Sequence, residues 1–397
     1  MPTPQDETAR SRLGDLAQPI LAGILAALVG YASTFTLVLG SLGHTGANPG
    51  EAASGLFAMC LALGLLNTVV VWRLRIPLSF AWSTPGAAFL LTLQPITGGF
   101  EAVTGAFIVV AALIAACGFV KPLARAVAAI PGPIAAAMLA GVLLNLCLAP
   151  VRAVAELPWL ALPIVGVWVV GLKFVRRYAV PLAVLAAAIM LAVSSNLAPG
   201  ALSVALPSLQ LVLPAFTLEA LVKIAIPLFV ITMASQNLTG LAVMRANGFE
   251  VDAGAPFALT GLASAIVALF GGLTINLAAI TAALAAGPEA HPDPTRRWVA
   301  PAAAGFVYFA LALLATLAAA FIAAAPPILI EAVAGLALLP SLAGALSGAL
   351  ASDDLRLPAI VTFVTTASGI TLLGIGGAFW GLLAGIGLLL VLRRWRA

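Results

Sequence analysis

The chain has 397 residues, of which 63% are hydrophobic and 8% charged, with a mean hydropathy of +1.16 and a formal charge of +4. Soluble domains carry about 25% charged residues, so this composition excludes a water-soluble globular protein and defines an integral membrane protein. The basic balance does not point to nucleic acid, because the Lys and Arg residues are scattered between apolar runs, as in loops that follow the inside-positive rule.

Met1 to Ala17, with Asp6, Glu7, Arg10, Arg12 and Asp15, is too polar for a signal peptide and reads as a cytoplasmic tail over residues 1–15. Apolar runs then predict helices near Leu16–Leu39, Glu51–Trp72, Pro77–Leu93, Glu101–Val120, Pro131–Leu148, Pro158–Phe174 and Tyr178–Val193. A polar, proline-rich stretch from Ser194 to Ala215 precedes a second set: Leu218–Met233, Phe257–Phe270, Leu273–Ala286, Val299–Ala320, Pro326–Leu350, Leu357–Leu373 and Gly377–Leu392. Fourteen segments of about 20 residues use about 280 residues, which leaves only short loops. The runs do not alternate, which argues against a β-barrel. The expected architecture is an all-α polytopic membrane protein.

Charge tests the count. With the N-terminus cytoplasmic, alternate loops place 16 of the 18 basic residues inside, among them Arg73, Arg75, Lys121, Arg125, Arg296 and Arg297. Arg152 and Lys223 fall outside, and both termini are expected in the cytoplasm. Seven segments is an odd number, so the second set enters from the opposite side, which predicts a seven-plus-seven inverted repeat. A weak internal match agrees: Pro133 and Gly141 in the fifth segment recur as Pro327 and Gly335 in the twelfth, an offset of 194.

The third and tenth segments are interrupted. In IPLSFAWSTPGAAFLLT, Ser83 or Thr84 is an N-cap and Pro85 suits a first helical turn, so a short helix follows an extended approach. In GGLTINLAAITAALAAG, Gly271 and Gly272 break the chain, and Thr274 or Asn276 is expected to cap a helix over Leu277–Ala286. Half-length helices that begin near the midplane bring two N-termini together, a pairing that suits an anion. Gln236 and Asn237 place two amides in the apolar eighth segment, and Tyr31, Ser33, Thr34 and Thr36 form a polar patch in the first. Each is costly in lipid unless bonded to helix, backbone or ligand.

No Asp or Glu lies in the third or tenth helix or beside Gln236, so the site does not suit a cation. His44, His291 and the dispersed Cys60, Cys117 and Cys147 offer no metal-ligand cluster, and no nucleotide-binding or hydrolase motif is present. No cofactor, metal or catalytic residue is expected.

The runs AWSTPGAAFLL (81–91), ASQNLTGLAVMRANGF (234–249) and INLAAITAALAAGPEAHPDPTRRW (275–298) closely resemble the benzoate/proton symporter (BenE-type) family. The likeness in length and segment order covers nearly the whole chain. It implies a fold shared with uracil and sulfate/bicarbonate transporters, with a core of 16–125 and 216–322 and a gate of 126–215 and 323–397. Where nucleobase transporters carry glutamates, this chain has Gln236 and Ile275, which favours an aromatic carboxylate over a nucleobase. The implied function is proton-coupled import of benzoate or a related acid across the inner membrane. Ser83, Thr84, Gln236, Asn237, Thr274, Asn276, Tyr31 and Trp82 would form the site, with Trp82 and Phe35 covering the ring. Glu331, Glu289 and His291 are the candidate proton carriers, with Asp293 beside them, unless the substrate carries its own proton. Glu289 and Asp293 have a structural alternative, pairing with Arg296 and Arg297. An inorganic-anion or other small organic-anion exchanger is the alternative function, and a homodimer is compatible with either.

Overall fold

The computed structural model describes residues 4–120, 122, 130–194, 206–278, 280–372 and 375–395. Lys121, Arg125, Arg396 and most of the polar stretch 195–215 fall outside these residues or at their edge. The chain opens with a long helix, α1 (Pro4–His44), then α2 (Pro49–Leu74). Asn48 and Glu51 close a reciprocal capping box at the start of α2, each side chain bonding the other's backbone N–H.

Next come strand β1 (Phe80–Trp82), the short helix α3 (Thr84–Leu90) and α4 (Gly99–Phe119). After them lie α5 (Gly132–Cys147), α6 (Ala149–Glu156), α7 (Pro158–Phe174) and α8 (Ala179–Ser194). The second half runs α9 (Leu218–Ala246), α10 (Gly254–Ala268), strand β2 (Ile275–Leu277) and the short helix α11 (Ile280–Ala286). It ends with α12 (Val299–Ala312), α13 (Ala315–Ala324), α14 (Pro327–Ala349), α15 (Arg356–Ala367), the two-residue strands β3 (Thr371–Leu372) and β4 (Ile375–Gly376), and α16 (Gly377–Trp395).

Among the described residues six helices are long and apolar enough to cross a membrane, and a seventh span forms if α12 and α13, bent by 60°, count together. The shorter α7, α8, α10 and α16 are also apolar. Helices pack in two groups: α1, α2, α4, α10 and α12 on one side, and α5, α14, α15 and α16 on the other. The glycines of the internal sequence match are points of close approach in the second group. A Cβ on Gly141 would lie 2.6 Å from Thr366 of α15, and one on Gly335 would lie 2.3 Å from the carbonyl oxygen of Leu146.

Several sequence expectations change. The first helix extends past Leu39 to His44, and α6 and the β3–β4 pair were not anticipated. The eleventh segment is not straight: Leu313 and Leu314 bond to carbonyls three residues back, which tightens and ends α12. The tenth-segment helix starts at Ile280 instead of Leu277, because residues 275–277 satisfy their backbone by strand pairing.

Candidate functional site

The structure crosses the two interrupted segments. β1 and β2 pair antiparallel, with Phe80 opposite Leu277, Ala81 opposite Asn276 and Trp82 opposite Ile275. Ser83 N donates to Thr274 O (3.0 Å) and Ala278 N to Ser79 O (2.8 Å), extending the ladder at both ends. Two isolated three-residue strands cannot hold together alone in water. In a membrane interior, irregular backbone persists only where protein satisfies it. Here two side chains do so. Asn67 of α2 brackets Phe80, accepting from its N–H and donating to its carbonyl, both at 3.0 Å. Ser264 of α10 brackets Ile275 in the same sense, at 2.8 and 3.1 Å.

Each strand leads to a seven-residue helix, about 10 Å long against a hydrocarbon core of about 30 Å. Ser83, and not Thr84, caps α3: its hydroxyl accepts from Gly86 N and meets Thr232 Oγ1 of α9 at 2.8 Å. Thr84 is the first helical residue, half-buried. The approach to β2 requires Gly271, whose φ is +80°, a conformation glycine adopts without steric cost.

α9 contains two π-helical turns, Leu221–Ala225 and Met233–Asn237. The second packs against β2 and α5, and such turns recur at functional sites. It aims Asn237 at the ribbon, where its Oδ1 accepts from Leu277 N (2.8 Å) and its Nδ2 donates to Met233 Sδ (3.1 Å). Asn237 is fully buried and Gln236 half-buried.

Residues opposite one another in an antiparallel pair share a face, and neighbours along a strand alternate. Trp82 and Asn276 therefore lie on opposite faces of the ribbon. On the Trp82 face a row of rings runs through the first helix group. Trp82 meets Tyr31 and Tyr308 edge-on at 5.9 and 6.1 Å, and Tyr31 stacks on Phe35 at 5.4 Å. Trp82 Nε1 donates to Thr34 Oγ1 (2.9 Å), tying β1 to α1. Ser33 and Thr34 also donate to carbonyls of their own helix.

The structure thus gathers Ser83, Thr84, Asn237, Thr274 and Asn276 around the crossing, with Gln236 on the adjoining turn and Tyr31 against Trp82. Ser83, Asn237 and Trp82 already have partners. Among the described residues, the buried Oη of Tyr31, Oγ1 of Thr274 and Oδ1 of Asn276 have none. Leaving a buried polar atom unpaired costs about 1–3 kcal/mol. The other orphaned hydroxyls, on Thr36, Thr104 and Thr366, lie on helices, where a carbonyl four residues back is in reach. Thr274 and Asn276 lie on non-helical chain without that outlet.

The three acid–base candidates lie elsewhere. Glu331 is half-buried near the start of α14, and Glu289 is exposed in the loop after α11. His291 is buried in that same loop, where its Nδ1 accepts from Asp293 N (3.0 Å). Bonds from the Thr295 hydroxyl and backbone, with Arg296 nearby, hold the Asp293 carboxyl below the usual carboxylate range. Asp293 pairs with Arg296 at 3.6 Å, whereas among the described residues Arg297 bonds to carbonyls. Its buried guanidinium donates to the carbonyls of Ala286, His291 and Pro292, clamping the loop to the end of α11. Asn67 and Ser264 are the supporting residues that sequence reasoning passed over, and Arg297, expected to pair with a carboxylate, holds carbonyls instead. A lone Asn or Ser in an apolar helix is the signal that marks the first two. Among the described residues no group of three His, Cys, Asp or Glu could hold a metal.

Crossed half-helices on a two-stranded ribbon inside a helical bundle define a multi-pass membrane transport protein. The chain belongs to the benzoate membrane transport protein family, whose sequence profile matches residues 16–391. It is 38% identical over 378 residues to the inner membrane protein YdcO of Escherichia coli (strain K12), covering 94% of this chain and 96% of that one. It is 30% identical over 366 residues to the benzoate membrane transport protein of Acinetobacter baylyi, covering 92% and 93%. The fold is shared with the transmembrane domain of the cyanobacterial bicarbonate transporter BicA (TM-score 0.62, 16% identity, 94% and 97% covered). It is shared also with the murine anion transporter Slc26a9 in its inward-facing state (TM-score 0.58, 13% identity, 95% and 68% covered).

Proposed function

We propose that this chain is a secondary transporter that imports benzoate or a related aromatic carboxylate together with protons, across a bacterial inner membrane. The observation that carries the reading is the pair of uncommitted buried polar atoms, on Thr274 and Asn276, at the crossing of two half-helices. The Thr274 hydroxyl donates to a carboxylate directly. Asn276 Oδ1 is an acceptor, so as placed it suits the hydroxyl of the protonated acid while Nδ2 holds Leu277 O. Thr84 and Gln236 complete the donor set, with no carboxylate among them to repel an anion. Membership of a benzoate transport family supports the aromatic body of the substrate.

Trp82 takes a different part. With its indole N–H committed to Thr34 and its ring on the far face of the ribbon, it anchors β1 to α1 and positions the site. Tyr31 and Asn237 support the same scaffold.

In this reading the chain has fourteen segments in a seven-plus-seven inverted repeat, with both termini cytoplasmic. The matching brackets of Asn67 on Phe80 and Ser264 on Ile275 support the repeat, since each ties a strand to the helix before it. Residues 16–125 and 216–322 form the moving core, and 126–215 and 323–397 the gate. Their relative motion gives alternating access. Glu331 and Glu289 remain the proton-carrier candidates to test, while His291 serves the loop.

The experiment is uptake of labelled benzoate into proteoliposomes, with and without an inward proton gradient. Uptake that rises with the gradient supports symport. Uptake indifferent to it removes the coupling and keeps the substrate, and no uptake by folded protein removes both. An inorganic-anion exchanger is the second reading, favoured by the shared fold with a bicarbonate transporter. Competition by sulfate but not by aromatic acids would select it.

A further inference from the structure

A small cavity of about 50 Å³ lies at the other end of α3, between its C-terminal turn and helices α5, α15 and α16. Its wall includes Phe89, Thr92, Gln94, Asn145 and Lys223, and among the lining residues Lys223 alone is charged. The first π turn of α9 sets this lysine in place, with Ile224 and Ala225 beside it fully buried.

Among the described residues Lys223 Nζ makes one hydrogen bond, to Glu219 Oε1 at 2.6 Å, and its side chain is 22% exposed. An ammonium has three donors, so two N–H groups are uncommitted at the cavity wall. Glu219 is differently placed. Its Oε2 accepts from the Thr97 N–H at 3.2 Å and from the Thr97 hydroxyl. If the lysine turned to another anion, Glu219 would keep two donors. The pair can therefore open without leaving the half-buried Glu219 carboxylate unbonded, and the cavity beyond it offers the amides of Gln94 and Asn145 to a second oxygen.

We propose that Lys223 forms a recruitment site for the carboxylate head of an incoming anion at the mouth of this cavity, about one half-helix, or 10 Å, from the β1–β2 crossing. The ammonium exchanges Glu219 for the incoming carboxylate, then releases it toward the crossing and returns to Glu219. The site concentrates substrate and sets its capture, while Thr274 and Asn276 set binding at the centre. This assignment rests on the carboxylate-transport reading, and the test separates the two.

Initial rates of benzoate uptake are measured in proteoliposomes at low and high salt for wild type, Lys223→Gln, Lys223→Arg and Glu219→Gln. Lys223→Gln is expected to raise KM roughly tenfold at low salt, leave kcat within about twofold and lose the salt dependence, as rim charges govern capture. Lys223→Arg restores both, and Glu219→Gln leaves KM unchanged or lowers it. An ion pair that only braces the helix would instead impair Lys223→Gln and Glu219→Gln alike. That result, or an unchanged KM in Lys223→Gln, overturns the proposal.

A second readout needs no transport. Asn145→Cys is modified with an anionic and a cationic methanethiosulfonate of similar size. The anionic reagent should react faster, and adding Lys223→Gln should abolish that preference. If wild type takes up no benzoate, the transport reading fails while this preference still decides whether the cavity gathers anions. No preference overturns the site.

Discussion

The two crossed segments are built alike yet finished differently. On the β1–α3 side the polar groups of the strand and its cap are committed: Ser83 caps its helix and meets Thr232, Trp82 holds Thr34, and Asn67 brackets Phe80. On the β2–α11 side Ser264 and Asn237 hold the strand, but Thr274 Oγ1 and Asn276 Oδ1 are left over. A fold can tolerate a few kcal/mol of such unpaired groups where a ligand will use them. In the proposed reading one half serves as a frame and the other carries the binding capacity.

The largest expected effect comes from breaking the frame. Asn67→Ala strips both bonds from Phe80 in a water-free interior, at about 1–3 kcal/mol for each group stranded. Its unfolding temperature in detergent should fall by several degrees, and Ser264→Ala should follow. The next effect sharpens the other side. Thr274→Val removes an unpaired hydroxyl, so stability should hold or rise while benzoate uptake falls about tenfold, equivalent to about 1.4 kcal/mol. Uptake preserved in a stable Thr274→Val protein would move the site off β2.

Smaller effects concern the end of α11. Arg297→Lys keeps the charge but cannot reach three carbonyls in one plane, so hydrogen exchange should quicken across residues 287–296 with modest loss of uptake. The smallest effect is one of pH. The Asp293 carboxyl is depressed in the folded protein, so its contribution to loop order is complete above its unfolded value of about 4. That order is lost as the pH falls below it. Exchange of the Thr295 amide, corrected for its intrinsic pH dependence, should rise only in that acid range and lose this step in Asp293→Asn.

The interrupted segments were legible in the sequence because glycine and proline punctuate them: Gly271–Gly272 before β2, and Ser83-Thr84-Pro85 before α3. The start of α11 was misplaced by three residues. Asn276 resembles a helix cap locally, and only the distant partner Ala81 makes it a strand residue. Trp82 was expected, with Phe35, to cover the ring of the substrate. Strand alternation turns it to the opposite face from Asn276. Asn67 and Ser264 escaped notice for the same reason, since their partners lie 13 and 11 residues away, across a turn that the sequence does not orient. The GPEAHPDP run advertised itself as chemistry, and its geometry is that of a clamped loop, with Arg297 as the clasp.

The most direct test of the division between frame and binding half is the benzoate-induced shift in unfolding temperature of purified Asn276→Leu beside wild type. Without benzoate the variant should unfold close to the wild-type temperature, since the frame on the β1 side is intact. With benzoate the wild type should be stabilised and the variant should show no shift. Equal shifts in both proteins would contradict the account and place the carboxylate away from β2.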